Sequence, residues 1–192
     1  STYALTFEKG TSFWSRRARG DLSSASESCE IEMYQAARQE LCGTGFQHYE
    51  ISSFAREGLQ CQHNLAYWEG RGWFAVGPGA ARFVDGRREV NHRSTTTYLR
   101  RMESAESPTA EQEAITPEQY ARERAAFGVR MIDGIDLEVL ESETGVPLSV
   151  ICRDAINRSL GEGLLLKPAP SWIKLSERGI LFADTVASWL LG

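Results

Sequence analysis

The first third of the chain changes from a strand-like to a helix-like pattern and back. Apolar and polar residues alternate over residues 2–8, which predicts a short strand. The arginines within residues 16–19 indicate a solvated loop. Residues 24–27 form a capping box, and apolar residues then recur at helical spacing as far as Gly43, which suits a helix end. A second strand is predicted at about 46–52, so this order indicates one βα unit followed by a strand.

The middle of the chain carries signals of β-structure. Residues 73–76 are apolar and precede a Gly-Pro-Gly turn, which predicts a strand that ends there. The dipeptide at 85–86 is Asp-Gly, which favours the type I′ turn of a β-hairpin. Residues 97–104 are predicted to be helical. Residues 103–113 are polar and contain a proline, which indicates a linker.

The last third is predicted to be mainly helical. Thr116 is followed by a proline and, three residues later, by a glutamine, which is the signature of a helix N-terminus. Two short helices are predicted within residues 137–156. Residues 164–166 and 172–175 flank a proline-rich segment, as in a two-stranded wing, and Ser176 is placed to cap a final helix. This order is typical of a winged-helix variant.

Composition narrows the class of protein. Of the 192 residues, 42% are hydrophobic and 24% are charged, as in an ordinary globular protein. The net charge of −5 argues against a nucleic-acid partner, because nucleic acids are held mainly by excess positive charge. The apolar runs are shorter than the roughly 20 residues of a membrane span. The N-terminal residues lack the pattern of a signal peptide.

The four cysteines do not suggest a metal site. They lie at positions 29, 42, 61 and 152, and this spacing matches none of the ligand patterns of zinc or iron–sulfur proteins. We expect isolated thiols in a reducing compartment, and therefore a cytoplasmic protein. A disulfide between two of them stays an alternative.

Two histidines are candidates for chemistry. His48 and Glu50 share one face of the predicted strand, because strand side chains alternate, and they form either a functional pair or a structural one. Tyr67 and Trp68 follow His63 at four and five residues along the sequence. A histidine beside aromatic residues is either a ligand or a structural residue, and the residues alone leave both open.

Three segments carry a family resemblance. They are His-Tyr-Glu-Ile-Ser-Ser-Phe-Ala-Arg at 48–56, His-Asn-Leu-Ala-Tyr-Trp at 63–68 and Gly-Pro-Gly-Ala at 77–80. Together they resemble the second half of the radical-SAM family that contains oxygen-independent coproporphyrinogen III oxidase and its haem-chaperone relatives. The second segment is similar to the His-Asn-x-x-Tyr-Trp motif of the haem-chaperone branch, where the oxidase has a His-Arg-Asn-Phe-type run.

The resemblance implies a fold and a function. The expected fold is α/β (α+β): the end of an incomplete (β/α) radical-SAM barrel with a β-rich extension over 1–105, and a helical, winged-helix-like domain over 106–192. The expected function is that of a haem-binding chaperone. The alternatives are the oxidase, which converts propionates to vinyl groups by oxidative decarboxylation, and a stand-alone interaction domain.

The resemblance also implies cofactors. The full-length parent, an oxidoreductase by family, would hold S-adenosylmethionine and a [4Fe-4S] cluster. The cluster needs a Cys-x3-Cys-x2-Cys motif that this sequence lacks, so the chain alone is predicted to be inactive as a radical enzyme and to be a C-terminal portion.

Candidate site residues follow from the resemblance by position. Contacts to a first S-adenosylmethionine would fall on Thr6, and contacts to a second on Leu65, Ala66 and Ala81. His63 is the candidate ligand of haem iron, since imidazole is a common axial ligand. Tyr67 and Trp68 would offer flat surfaces to the porphyrin. The expected partners are a porphyrin or haem and a haem-recipient protein, with no nucleic acid and no transmembrane segment.

Overall fold

The structure is a computed structural model that describes all residues from 1 to 192. The chain forms two compact units, Ser1–Gln60 and Cys61–Gly192. Both combine helices with small antiparallel sheets, so the predicted mixed class is confirmed, and neither unit closes a barrel. The predicted domain boundary between residues 105 and 106 stays a prediction.

The first unit consists of two helices and a hairpin. Its elements are α1 (Ser12–Ala18), α2 (Glu27–Gly43), β1 (Gln47–Glu50) and β2 (Ser53–Ala55). The hydroxyl of Thr11 caps α1 by accepting a hydrogen bond from the N–H of Trp14. Neither helix has a buried residue, and the residues that are buried lie on the hairpin. The core of this unit is therefore small.

Two predictions for the start of this unit are wrong. Residues 2–8 form no strand, although the N–H of Thr2 donates to the carbonyl oxygen of Ser52 at 2.8 Å. An alternating pattern makes a strand only when a neighbour completes the ladder of hydrogen bonds. The arginines within residues 16–19 lie in α1 and at its C-cap rather than in a loop, because Thr11 supplies a cap that starts the helix.

The start of α2 also differs from its prediction. Ser26, not Ser24, caps this helix, and its hydroxyl accepts from the N–H of Cys29 at 3.3 Å. The helix runs to Gly43, but the residue in the left-handed conformation is Gly45, with φ of 87°. The local signals therefore predicted the helix correctly and placed its ends within about two residues, which is the usual uncertainty of helix ends.

The second unit contains the remaining elements in one continuous order. They are α3 (Gln62–Trp68), β3 (Ala81–Val84), β4 (Arg87–Asn91), α4 (Thr95–Glu103), β5 (Thr109–Ala114), α5 (Pro117–Gly128), β6 (Ile135–Asp136), α6 (Leu137–Thr144), α7 (Leu148–Ile151), α8 (Arg153–Gly161), β7 (Leu165–Leu166), β8 (Trp172–Leu175), α9 (Glu177–Leu181) and α10 (Ala183–Leu191).

The strands β3, β4 and β5 form one antiparallel sheet in that order. The predicted hairpin is confirmed: Asp85 and Gly86 have positive φ angles of 50° and 72°, and Val84 pairs with Arg87 across the turn. The predicted linker is wrong, because β5 pairs with β4 along its length. The predicted strand at 73–76 is reduced to a single bridge between Trp73 and Phe83.

The helices and wing at the end of the chain enclose the main core. The strands form a sheet in the order β6-β8-β7, which confirms the wing and adds the two-residue strand β6. The capping box at Thr116 is confirmed, and so is the cap at Ser176. Helix α10 packs against α5, and Val129, Val186 and Leu190 are fully buried there. No helix in the chain has both the length and the apolar character needed to cross a membrane.

Arg122 ties three parts of this core together. Its guanidinium donates to the carbonyl oxygens of Ile151 and Leu190, at 3.2 and 3.3 Å. The thiol of Cys152 lies beside it and donates to the same oxygen of Leu190 at 3.7 Å. Burial raises the pKa of the Cys152 thiol, and the positive charge of Arg122 lowers it by less. The thiol is therefore held in its neutral form.

We predict that alkylation will separate Cys152 from the other cysteines. Cys29, Cys42 and Cys61 are exposed, whereas Cys152 is buried, so its reactive thiolate is both scarcer and shielded. Iodoacetamide at mildly alkaline pH should modify the three exposed thiols in the native protein, and Cys152 only after denaturation. Peptide mass spectrometry measures this, and native labelling of Cys152 at the rate of Cys29 would contradict the packing described.

We predict that Gly179→Ala will destabilise the second unit. A methyl group on Gly179 would overlap the carbonyl oxygen of Leu164, and backbone cannot yield as a flexible side chain does. The free energy of unfolding should fall by roughly 1–3 kcal/mol, as for other overpacked sites. The matched control is Gly161→Ala, since nothing lies within 4 Å of the added methyl there. Urea denaturation of both variants measures the free energy of unfolding, and equal values for Gly179→Ala and Gly161→Ala would refute the prediction.

Candidate functional site

A run of five ring side chains, which we call the aromatic chain, crosses the second unit. Its members, in order of contact, are His63, Tyr67, Trp73, Phe83 and Tyr120. The centroids of successive rings lie 4.9, 4.6, 5.4 and 5.7 Å apart. These separations are typical of favourable aromatic pairs. The aromatic chain begins at the exposed imidazole of His63 and ends at the half-buried Tyr120 on α5.

Helix α3 sets the exposed end of the aromatic chain. His63 lies in its first turn and Tyr67 four residues later, so both side chains lie on one side of the helix. The two rings meet edge to face, with an interplanar angle of 89°. The imidazole of His63 is exposed, while Tyr67 is half-buried. One side of the imidazole is thus supported by protein and the rest is open to a ligand.

The inner part of the aromatic chain is fixed by backbone pairing. Trp73 and Phe83 exchange two backbone hydrogen bonds, of 2.8 and 3.0 Å. The indole N–H of Trp73 also donates to the carbonyl oxygen of Ala81 at 3.0 Å. The phenol of Tyr120 donates to the carbonyl oxygen of Gly70 at 3.1 Å. Tyr67 therefore packs on the ring of Trp73, whose backbone is held in place by its hydrogen bonds to Phe83.

Trp68 lies outside the aromatic chain. Its ring carries the guanidinium of Arg130, whose carbon lies 5.1 Å from the ring centroid. The indole nitrogen is buried and has no hydrogen-bond partner. The sequence grouped Trp68 with Tyr67 as a flat surface for a porphyrin, and that role stays a prediction.

The residues assigned to S-adenosylmethionine occupy different settings. Thr6 is exposed and precedes α1 in the first unit. Leu65 and Ala66 are half-buried in α3, and Ala81 is exposed at the start of β3. Their assignments to either molecule of S-adenosylmethionine stay predictions.

The pair His48 and Glu50 belongs to the hairpin of the first unit. Glu50 is only 2% exposed, and its carboxylate accepts from the N–H of Ser52 at 3.2 Å. His48 stacks on Phe54 with centroids 4.4 Å apart, and its Nε2 lies 3.1 Å from the carbonyl oxygen of Ile51. The pairing register shifts between His48 and Glu50, so simple alternation does not hold there. These contacts match the structural alternative.

The Gly-Pro-Gly turn is pinned by two buried residues that the sequence did not single out. The side-chain amide of Asn91 donates to the carbonyl oxygen of Gly77 at 2.9 Å. The N–H of Gly77 donates to the phenol oxygen of Tyr98 at 3.2 Å. No local pattern predicts these bonds, since they depend on how β4 and α4 lie beside the turn. A buried asparagine must be satisfied, and here the turn satisfies it.

The residues present do not fit an iron–sulfur cluster. Such clusters need several thiolates around one centre. Three cysteines are separately exposed, one is buried, and no group of three or more His, Cys, Asp or Glu side chains is placed to hold a metal ion. No step of radical chemistry is therefore assigned to residues of this chain.

Comparisons with known proteins show which proteins the chain resembles. The family description "HemN C-terminal domain" matches residues 115–182. The chain is 31% identical to the heme chaperone HemW of Mycobacterium tuberculosis, over 100% of this chain and 47% of that protein. It is 28% identical to HemW of Bacillus subtilis, over 100% of this chain and 50% of that one. The chain thus spans about half the length of these curated relatives.

A solved structure gives the same fold. Coproporphyrinogen III oxidase (HemN) of Escherichia coli, a radical SAM enzyme, superposes with a TM-score of 0.69, over 91% of this chain and 44% of the oxidase. At 13% identity this likeness shows the fold alone. The resemblance inferred from the three sequence segments is confirmed. Residues 115–182 carry a HemN C-terminal domain, and the chain as a whole is similar to a C-terminal portion of HemN- and HemW-like proteins.

Proposed function

We propose that this chain is the part of a HemW-type haem chaperone that holds haem, with His63 as the ligand of the haem iron. The observation that carries the proposal is the imidazole of His63, exposed at the end of the aromatic chain and supported edge-on by Tyr67. A ligand imidazole must be open to the metal and held in one orientation. The relatives named as heme chaperones support haem as the ligand.

The aromatic chain supports binding of a flat, apolar ring system. Tyr67 lies between His63 and Trp73, and contacts on both sides restrict its ring. A macrocycle bound at His63 would therefore lie beside an aromatic ring with a fixed orientation. Rigid aromatic side chains bind at a small cost in conformational entropy, because they have few torsions to fix. Haem is cargo in this proposal, and the recipient would be a second protein that takes it from His63.

The radical chemistry of the family belongs to another part of the parent protein in this proposal. The [4Fe-4S] cluster would be held by residues outside 1–192, in keeping with the poor fit of the cysteines present, and residues of this chain would contribute at most side contacts to S-adenosylmethionine. We place the protein in the cytoplasm, where four free thiols are kept reduced.

The oxidase is the second candidate, and the match of residues 115–182 to the HemN C-terminal domain favours it. Its substrate would be a porphyrinogen without iron, for which an axial ligand serves no purpose. In that case His63 would contribute to packing or hydrogen bonding only. The dependence of binding on iron therefore separates the two functions.

We predict that haem binding depends on His63. Titration of the full chain with haem should give a saturable Soret shift, and His63→Ala should weaken binding by about tenfold or more and change the Soret position, because the iron–imidazole bond is lost. His92→Ala is the matched control, since His92 bonds to Gly79 and Pro108 through its backbone, which the substitution keeps. Absence of a shift, or equal affinities of wild type and His63→Ala, would overturn the proposal.

We also predict that the chain does not cleave S-adenosylmethionine after iron–sulfur reconstitution. The expectation rests on the scattered positions of its thiols. The formation of 5′-deoxyadenosine under reducing conditions is the measurement, and heat-denatured protein carried through the same reconstitution is the control. Turnover above that background would show that the cysteines assemble a cluster after all.

A further inference from the structure

Helix α3, which carries His63, cannot hold its own orientation. It has seven residues and no buried residue, and no side chain caps its N-terminus at Cys61. Isolated helices of this length are unstable in water, so its direction must be imposed by its neighbours. An imidazole that binds haem iron must point at the metal, and a small displacement of the ring would weaken that bond. The contacts that orient α3 are therefore part of any site at His63.

Two residues of helix α5 contact the turn that follows the C-terminal end of α3. The phenol of Tyr120 donates to the carbonyl oxygen of Gly70, and Arg124 donates to that phenol oxygen at 3.3 Å. Arg124 also pairs with Glu143 at 2.7 Å. A methyl group on Gly70 would overlap the side chain of Arg124, so the turn after α3 lies directly against α5.

Arg130 makes a direct contact with the last residue of α3. Its guanidinium lies over the ring of Trp68, the last residue of α3, and also pairs with Asp184 on α10. The side chain of Arg130 is only 18% exposed, so the cation and the ring attract each other with little screening by water. The indole N–H has no partner of its own. The orientation of Trp68 thus depends on the face of its ring and on packing.

We propose that Arg130 is a positioning residue for His63. It clamps Trp68 to the C-terminal helices, and α3 transmits that constraint to the imidazole because a helix of two turns moves as one body. This inference rests on the proposed function, since it concerns how His63 is presented to haem iron. Arg130 acts through Trp68 and not by touching the imidazole.

The test compares Arg130→Gln with Arg130→Lys in the full chain. We expect Arg130→Gln to weaken haem binding by about tenfold and to move the Soret band towards that of His63→Ala. Arg130→Lys keeps a cation over the ring and should restore most of the affinity. In the double variant His63→Ala/Arg130→Gln, affinity should equal that of His63→Ala, because the positioned group is already absent.

A matched control separates positioning from general stability. Arg158 also lies over a tryptophan ring, that of Trp189 at 3.8 Å, and also pairs with a carboxylate, Glu162, and neither of these partners lies in α3. Arg158→Gln should leave haem affinity and Soret position unchanged, and its loss of melting temperature should not exceed that of Arg130→Gln, because the Arg158 side chain is more exposed to solvent. Thermal unfolding followed by circular dichroism, without haem, gives the stability of each variant.

The outcomes distinguish this inference from the proposed function. If wild type binds haem through His63 but Arg130→Gln keeps its affinity and spectrum, the positioning role is overturned and the proposed function stands. If Arg130→Gln weakens binding equally with and without His63, Arg130 acts independently of the imidazole and the inference also fails. If wild type shows no His63-dependent binding, the proposed function itself fails, and the positioning role fails with it.

Discussion

The buried side of helix α5 carries only small residues, which allow neighbouring elements to approach its backbone. These are Ala121, Ala125, Ala126 and Gly128. A methyl group on Gly128 would come within 2.7 Å of the Ile135 side chain, so even an alanine there would push β6 away. Helices α3, α6, α7 and α10 all contact α5. Close approach then lets long side chains on the same helix, such as Arg122 and Tyr120, reach backbone oxygens on the far side of the interface. The small residues on the buried side of α5 therefore allow both its apolar packing and the hydrogen bonds made by its long side chains.

Local signals account for the parts of the fold that the sequence predicted. The cap at Thr116 and the Asp-Gly turn at 85–86 are decided within about four residues, so their outcome depends little on the rest of the chain. Strand β5 was missed because it pairs with β4 while most of its side chains are exposed, so no apolar face marks it. The alternating segment at 2–8 shows the reverse case, in which a strand-like pattern finds no partner strand. Strand pairing is nonlocal, and a single sequence carries little information about it.

In the candidate site, too, local contacts could be predicted from the sequence and nonlocal contacts could not. His63 and Tyr67 meet because they are four residues apart on one helix, which the sequence motif already contains. Trp73, Phe83 and Tyr120 extend the aromatic chain only once the sheet and α5 have brought distant segments together. Arg130 is a further example, since nothing near it in the sequence indicates that it lies over Trp68. The motif identifies which residues are of interest, and the fold decides what surrounds them.

The acidic residues of β5 have a consequence for how copies of the protein behave towards each other. A strand at the edge of a sheet exposes unpaired N–H and C=O groups that can recruit a strand from another molecule. On β5, the side chains of Glu111 and Glu113 are more than half exposed, and they pair with Arg93 and Arg88. Charged side chains beside an edge hinder the pairing of another strand, because that strand would cover them and displace their water. The composition that conceals this strand in the sequence thus also protects it from forming intermolecular sheets at neutral pH.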